Sequence, residues 1–393
     1  MLFPSTSVDI LKLDFCYEAG SHFQPMPLYA SATANLMHVG YASVSPRQWA
    51  DYLDRRGILI SANVTPYTAA LSAYLLPRYA GEFFPLLHEM VQTPSFPEME
   101  LQAFCRRKRQ EITTNLQRTS YLARLLFRQA LYGADSPEGR YAVPDDVDGI
   151  TADGLRAYFQ DRFQLDTAMQ SLSGNYDDAT LAAFRTYFGD TDTYTLDGRL
   201  SEIKVQAPQH IRHRLGLSGP QASIRVGRVL PFLASDDDYA AFEVLCTVLG
   251  GYFGSRLMRN IREEKGYTYG IYSRLHILRN SLYFEVLSDV SAESVDAALT
   301  EVYREMDALC RQPVDDDELQ LVRQYMEGEY LRSIDGIFER SDRLQQLAVL
   351  GLDERSYSDR LIHAIQSTTA EQLQHLAQRY LQPDAMTEVV VMG

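Results

Sequence analysis

The stretch from residue 250 to residue 273 reads GGYFGSRLMRNIREEKGYTYGIYS and predicts a helix that turns into a strand. Apolar residues recur at helical spacing over 255–265, which predicts a helix with one apolar face. Gly266 follows where that helix should end, because glycine readily adopts the left-handed conformation of a C-cap. The aromatic and β-branched residues of 267–273 then predict a strand.

Arg262 and Tyr269 lie on opposite sides of this predicted turn. Since the chain doubles back between them, a guanidinium and a phenol could converge on one small volume. Strand alternation predicts that Tyr267, Tyr269 and Ile271 share one face. Two interpretations stay open. Arg262 could complement the helix C-terminus while Tyr269 packs on a sheet, or the two donors could stabilise a developing negative charge.

The composition indicates a globular protein with two domains. The chain has 393 residues, 46% of them hydrophobic, and a net charge of −15. The negative charge argues against nucleic acid or an anionic membrane as the main partner.

The four cysteines are far apart and form no CxxC pair, so no disulfide framework is predicted. The N-terminus lacks a basic, apolar signal, which predicts a cytoplasmic location, or a periplasmic one if a signal is missing from this sequence.

An internal repeat is the strongest structural signal in the chain. Glu89-Met90 recurs as Glu305-Met306, and Ala168-Met169 recurs as Ala385-Met386. Strands cluster early in each copy and helices late, which predicts an α+β fold with two duplicated domains, 1–200 and 201–393. Each domain is expected to be an antiparallel sheet covered by helices on one face. The junction is placed near Asp197 to Gln209, and one long helix is predicted from Met99 to Leu126.

The 250–273 stretch resembles the second-domain signature of the pitrilysin/insulinase family of zinc peptidases. In that family a helix ending Arg-Glu-Glu-Lys-Gly leads into a strand that bears a tyrosine. The family's substrate-binding arginine and tyrosine correspond to Arg262 and Tyr269 in this sequence. The resemblance implies the mitochondrial processing peptidase-like metallohydrolase fold. It also implies one or two further strands ahead of the first strand predicted in this sequence, Val8 to Glu18.

The zinc-binding half of the family's site is absent from the sequence. The positions of its His-x-x-Glu-His motif fall on Ser31, Ala34 and Asn35, and none of these residues can replace the histidine ligands or the glutamate base. Glu111 stands where the distal glutamate ligand would be and is interpreted as an ordinary helix carboxylate, a possible relic. None of the eight histidines forms an HExxH or HxxEH motif. No cofactor or metal is therefore expected in this chain.

In the family's short-chain branch, this pattern belongs to the non-catalytic subunit of a heterodimer. The resemblance thus implies a partner: a homologous zinc-bearing peptidase subunit, at whose site Arg262 and Tyr269 would bind the scissile carbonyl of an extended peptide. By itself the chain is not expected to be a peptidase. Three alternatives stay open: a scaffold or peptide-binding homologue without a peptidase role, a zinc peptidase with an unrecognised site, and a homodimer in isolation.

Overall fold

The computed structural model describes residues 1–41, 44–189, 194, 196, 200, 202–216 and 219–393. The strands are β1 Leu2–Pro4, β2 Leu11–Tyr17, β3 Leu59–Val64, β4 Ala69–Leu75, β5 Met169–Gly174, β6 His210–Arg214, β7 Gln221–Leu230, β8 Thr268–Leu278, β9 Ser281–Ser291 and β10 Thr387–Met392. The α-helices are α1 Tyr29–Leu36, α2 Pro46–Arg56, α3 Ala80–Gln92, α4 Glu98–Leu116, α5 Thr119–Tyr132, α6 Ala152–Arg162, α7 Asp178–Phe188, α8 Asp237–Cys246, α9 Val295–Arg311, α10 Asp316–Ser333, α11 Ile337–Val349, α12 Glu354–Ser367 and α13 Ala370–Tyr380.

Two five-stranded sheets share one topology. Their strand orders are β1-β5-β2-β4-β3 and β6-β10-β7-β9-β8, so each strand of the first sheet has a counterpart five strands later. In both sheets the first strand pairs in parallel with the last, and the remaining pairs are antiparallel. The predicted α+β fold with two similar domains is confirmed.

Contacts divide the chain into two discontinuous units. Unit 1 comprises 1–113, 142–200 and 333–349, and unit 2 comprises 114–141, 201–332 and 350–393. The two predicted domains, 1–200 and 201–393, are repeats of the sequence and not contact units. Their boundary therefore stays a prediction. The predicted junction at Asp197–Gln209 lies partly outside the described residues. Within the helices described, none is long and apolar enough to span a bilayer.

Each sheet buries one face against the helices of its own unit. In unit 1 the β2 residue Phe15 packs on Phe188 of α7, with ring centroids 4.9 Å apart. In unit 2 the buried β7 residues Ile224 and Val226 belong to a core that also contains Phe242. Apolar residues alternate along both central strands because successive side chains point to opposite faces of a sheet.

An additional helix lies on the other face of each sheet, which the sequence did not predict. In unit 2, α5 packs Phe127 and Leu131 against Val389 and Val391 of β10. The predicted helix from Met99 to Leu126 is wrong in its extent, because α4 ends at Leu116 and α5 begins anew. In unit 1 the extra helix is α11, which contacts β5 and β1. Each sheet thus receives a helix from the other half of the sequence.

Buried charges lie beneath both of these additional helices. In unit 1, Lys12 pairs with Asp14 of the same strand at 3.3 Å and with Asp342 of α11, and Gln345 of α11 donates to Asp14 at 3.1 Å. In unit 2, Arg225 of β7 pairs with Glu285 of β9. Buried ions of this kind need such partners, because burying an unpaired charge is costly.

The unit 2 network also reaches helix α5. Arg225 Nη2 donates to the backbone carbonyl of Ser120 at 3.3 Å. Glu285 Oε2 lies 2.9 Å from Nε2 of His276, whose ring stacks on Tyr283. The buried carboxylate on β9 therefore links to both neighbouring strands, β7 and β8, and its arginine partner ties the sheet to α5.

Candidate functional site

The predicted helix and its glycine cap are present at the site. The segment Met258–Glu264 is π-helical, and Leu257, Met258 and Ile261 are buried as the spacing predicted. Lys265 N donates to Asn260 O at 3.0 Å, the i−5 bond that defines a π-turn. Gly266 has φ of +67°, which confirms the left-handed C-cap.

A β-bulge sets the direction of Tyr269. The pairing of β8 with β9 shifts between Thr268, which pairs with Val290, and Ile271, which pairs with Ser288. One extra residue therefore lies on β8 between these two pairs. Tyr269 is 96% exposed whereas Ile271 is fully buried. The prediction that these two side chains share a face is therefore wrong, because the extra residue breaks the alternation.

Hydroxyl groups hold the bulge in place. Thr268 Oγ1 accepts from the Gly270 backbone N–H at 3.0 Å and lies 2.7 Å from the Asp289 carbonyl oxygen. Ser288 Oγ donates to the Gly270 carbonyl at 2.8 Å. The backbone groups that the bulge removes from the ladder are thus bonded locally, as buried and half-buried polar groups require. Tyr269 is presented to solvent by a fixed backbone.

Arg262 is held by an aromatic ring. Its guanidinium carbon lies 4.4 Å from the ring centroid of Phe253, a cation–π distance. The guanidinium also lies 3.7 Å from the carboxylate of Glu263, and one third of the side chain is exposed. Phe253 is absent from the predicted site. The only sequence signal for it is an aromatic residue inside a glycine-rich loop.

Arg262 and Tyr269 border the same cleft, as the sequence spacing suggested. The cleft measures about 700 Å³ and is open to solvent. The other residues that line the cleft come from the start of β7, the end of β9 and the segment around Gly266. They are Pro220, Gln221, Glu263, Gly266, Tyr267, Thr268, Asp289, Val290 and Ser291. A cationic fork and a phenolic O–H at one cleft can both donate to a carbonyl oxygen that gains negative charge.

The residues at the former metal motif do not fit zinc. Ala34 of α1 is buried and has no donor atom, and Asn35 Nδ2 donates to the Ser31 carbonyl at 2.8 Å. Glu111 of α4 is exposed and pairs with Lys108 at 3.0 Å. Zinc sites use Cys, His and carboxylate ligands, three or four together. Across the part of the chain that the structure describes, no group of three or more His, Cys, Asp or Glu residues could hold a metal ion.

Comparison with known proteins finds a family model for part of the chain and relatives that cover most of it. Residues 149–326 match a family model described as the peptidase M16 inactive domain. The chain is M16-like. This M16-like chain is 22% identical over 349 residues to an uncharacterised zinc protease, YmxG, of Bacillus subtilis (strain 168), covering 88% of this chain and 83% of that protein. It is 23% identical over 378 residues to a non-peptidase homologue, also YmxG, of Helicobacter pylori, covering 92% of this chain and 84% of the relative.

A solved structure shows the same fold as the M16-like chain. The crystal structure of a peptidase M16 inactive domain from Pseudomonas fluorescens superimposes with a TM-score of 0.86 at 20% identity, covering 99% of this chain and 94% of that one. The family model that matches residues 149–326 contains the 250–273 stretch and confirms the family resemblance drawn from it.

Proposed function

We propose that this M16-like chain is the non-catalytic subunit of a two-subunit zinc peptidase. A homologous subunit with an intact His-x-x-Glu-His motif would hold the zinc. This chain would bind an extended peptide substrate through Arg262 and Tyr269. The single observation that carries the proposal is the cleft, which both Arg262 and Tyr269 line.

The two donors suit a peptide carbonyl. The Tyr269 hydroxyl and the Arg262 guanidinium each donate to the carbonyl oxygen of the scissile bond. Their hydrogen bonds strengthen as that oxygen gains negative charge, so they stabilise the transition state more than the bound substrate. The bulge at Thr268–Ile271 fixes the backbone that carries Tyr269, so little reorganisation is needed when the peptide binds.

Reconstitution with the zinc-bearing homologue of the same organism tests the proposal. We expect the pair to cleave an unstructured peptide, and Tyr269→Phe to lower kcat by about 10²–10³, the usual cost of losing one such donor. Tyr272→Phe is the matched control, since it makes the same chemical change on the same strand at a residue that does not line the cleft. Equal kcat for the Tyr269→Phe pair and the wild-type pair would refute the role of Tyr269.

The partner itself is tested by affinity capture of the tagged chain from its native lysate. Recovery of a homologue of similar size with the zinc motif supports the pair. Recovery of an assembly that lacks such a homologue, with no peptide cleavage, would instead favour a scaffold role. In that case Arg262 and Tyr269 would be inherited structure.

A further inference from the structure

The loop that precedes Arg262 exposes a large aromatic side chain beside the cleft. Phe253 is 62% exposed, although a phenylalanine gains most by burial. One face of its ring lies against the Arg262 guanidinium. We propose that Phe253 is the positioning residue for Arg262, and that its ring also forms an apolar subsite for the peptide. The peptide subsite rests on the proposed function, whereas the positioning of Arg262 does not.

The structure fixes where the Phe253 ring lies. The preceding residue, Tyr252, stacks on Tyr325 of α10 with centroids 5.1 Å apart. Ser255 N donates to the Tyr252 carbonyl at 3.2 Å, which closes a tight turn around Phe253. A Cβ added at Gly254 would lie 2.8 Å from the Tyr252 ring, so the glycine lets the loop pack this closely. The exposed ring is therefore carried by an anchored loop.

Arg262 needs such a support to act as a directed donor. Its side chain is long and flexible, and its contact with Glu263 is 3.7 Å, longer than a hydrogen bond. Stacking on an aromatic face fixes the plane of a guanidinium while leaving its N–H edge free. Phe253 does not line the cleft itself. It therefore acts on the carbonyl through Arg262.

The surroundings also indicate the class of peptide. Glu263, Thr268 and Asp289 give the cleft a polar wall, which suits a peptide main chain. Phe253 supplies an apolar ring at the Arg262 end. A peptide whose carbonyl meets Arg262 would place a neighbouring side chain on this ring. The preferred substrate is then an extended peptide with a large apolar residue next to the cleaved bond.

Side-chain NMR of the isolated chain tests the positioning alone. With arginine labelled by ¹⁵N, the Arg262 Nε–Hε resonance is assigned by its absence in Arg262→Lys. We expect a ring-current shift in the wild type, its loss in Phe253→Leu, and its retention in Phe253→Trp. An Arg262 resonance unchanged by Phe253→Leu would overturn the positioning role, whatever the partner does.

Cleavage by the reconstituted pair tests the subsite. Two fluorogenic peptides are compared that differ only in leucine or serine beside the cleaved bond. Phe253→Ala should lower kcat/KM about two- to fivefold on the serine peptide, the equivalent of an exposed cation–π contact, and by more on the leucine peptide. It should also reduce the preference for leucine, and Phe253→Trp should restore both. Leu331→Ala, another exposed apolar side chain of unit 2, is the control and should change neither.

The outcomes separate the two proposals. An active wild-type pair whose leucine preference survives Phe253→Ala overturns the subsite while the proposed function stands. An inactive wild-type pair overturns the proposed function and the peptide subsite with it. The NMR result still decides the positioning role in that case.

Discussion

Glu285→Gln should loosen helix α5 from the second sheet. The substitution keeps the shape of the side chain but removes the negative charge that faces Arg225 and His276. Glu285 is only 3% exposed, so water cannot replace the lost carboxylate. The Arg225 cation would then be left buried beside the backbone carbonyl of Ser120.

The magnitude follows from the burial of both partners. Removing one member of a buried ion pair costs about 3–5 kcal/mol, because the other charge stays desolvated. At about 1.4 kcal/mol per tenfold, that cost corresponds to a loss of amide protection of between about a hundredfold and several thousandfold. The loss should centre on residues 119–132, where the Arg225 network meets α5, and on strands β7 and β9.

Hydrogen exchange with mass spectrometry is the suitable assay, because it resolves peptides from both units. The single tryptophan, Trp49, lies in unit 1 and is a poor reporter of this change. Glu293→Gln, at an exposed carboxylate just beyond β9, is the matched control and should exchange like the wild type. The double variant Arg225→Met with Glu285→Met should recover most of the protection, since replacing a whole buried pair by apolar groups is often neutral.

Wild-type protection of α5 in Glu285→Gln would refute this reasoning. The network would then be a by-product of packing by Phe127 and Leu131 and would contribute nothing to holding the helix. A double variant as damaged as the single one would instead show that the Glu285 position needs a polar group, and not that the Arg225 charge needs a partner.

Four further predictions concern pH, the turn, the bulge and the metal. Burial raises the pKa of Glu285, but the hydrogen bond from His276 and the charge of Arg225 outweigh burial and hold the pKa below its ordinary value. Unit 2 should therefore lose the stabilisation from this carboxylate as pH falls below about 4.3. Acid denaturation of Glu285→Gln should lack this pH-dependent loss. Gly266→Ala should destabilise unit 2 by about 1–2 kcal/mol through backbone strain alone, since φ is +67° and nothing lies within 4 Å of an added Cβ; an unchanged thermal midpoint would contradict this. Thr268→Val should speed amide exchange at residues 268–271, because the hydroxyl that accepts from the bulge is lost, and equal exchange would show that Ser288 holds the bulge without it. The purified chain should carry no stoichiometric zinc by elemental analysis, and one zinc per chain would overturn the interpretation of Ser31, Ala34 and Asn35.

Local signals predicted the elements of the site well. The apolar spacing of Leu257, Met258 and Ile261 and the glycine at 266 act within one or two turns of chain, so a single sequence contains them. The residue types at Ser31, Ala34 and Asn35 can also be read from the sequence, and a zinc site needs other donor atoms. That the chain holds no zinc stays a prediction. The roles of Arg262 and Tyr269 stay predictions.

Other features of the site depend on contacts between distant residues. The bulge at Thr268–Ile271 exists because β8 pairs with β9 across an offset that alternation along one strand cannot show. The support of Arg262 by Phe253 requires the loop to pack against α10, and no spacing in the sequence indicates it. Strand alternation therefore predicted the wrong face for Tyr269.

The sequence by itself determined the duplicated α+β fold, the helix–glycine–strand turn and the absence of a zinc motif, because these depend on periodicity, backbone preference and side-chain chemistry. The tertiary structure decided where α5 and α11 pack. A continuous helical pattern hides the break after Leu116, and the buried charges of Lys12 and Arg225 look like ordinary strand residues until a helix covers them. Burial is a property of the assembled sheet, so only the folded chain shows which charges must be paired and which donors reach the cleft.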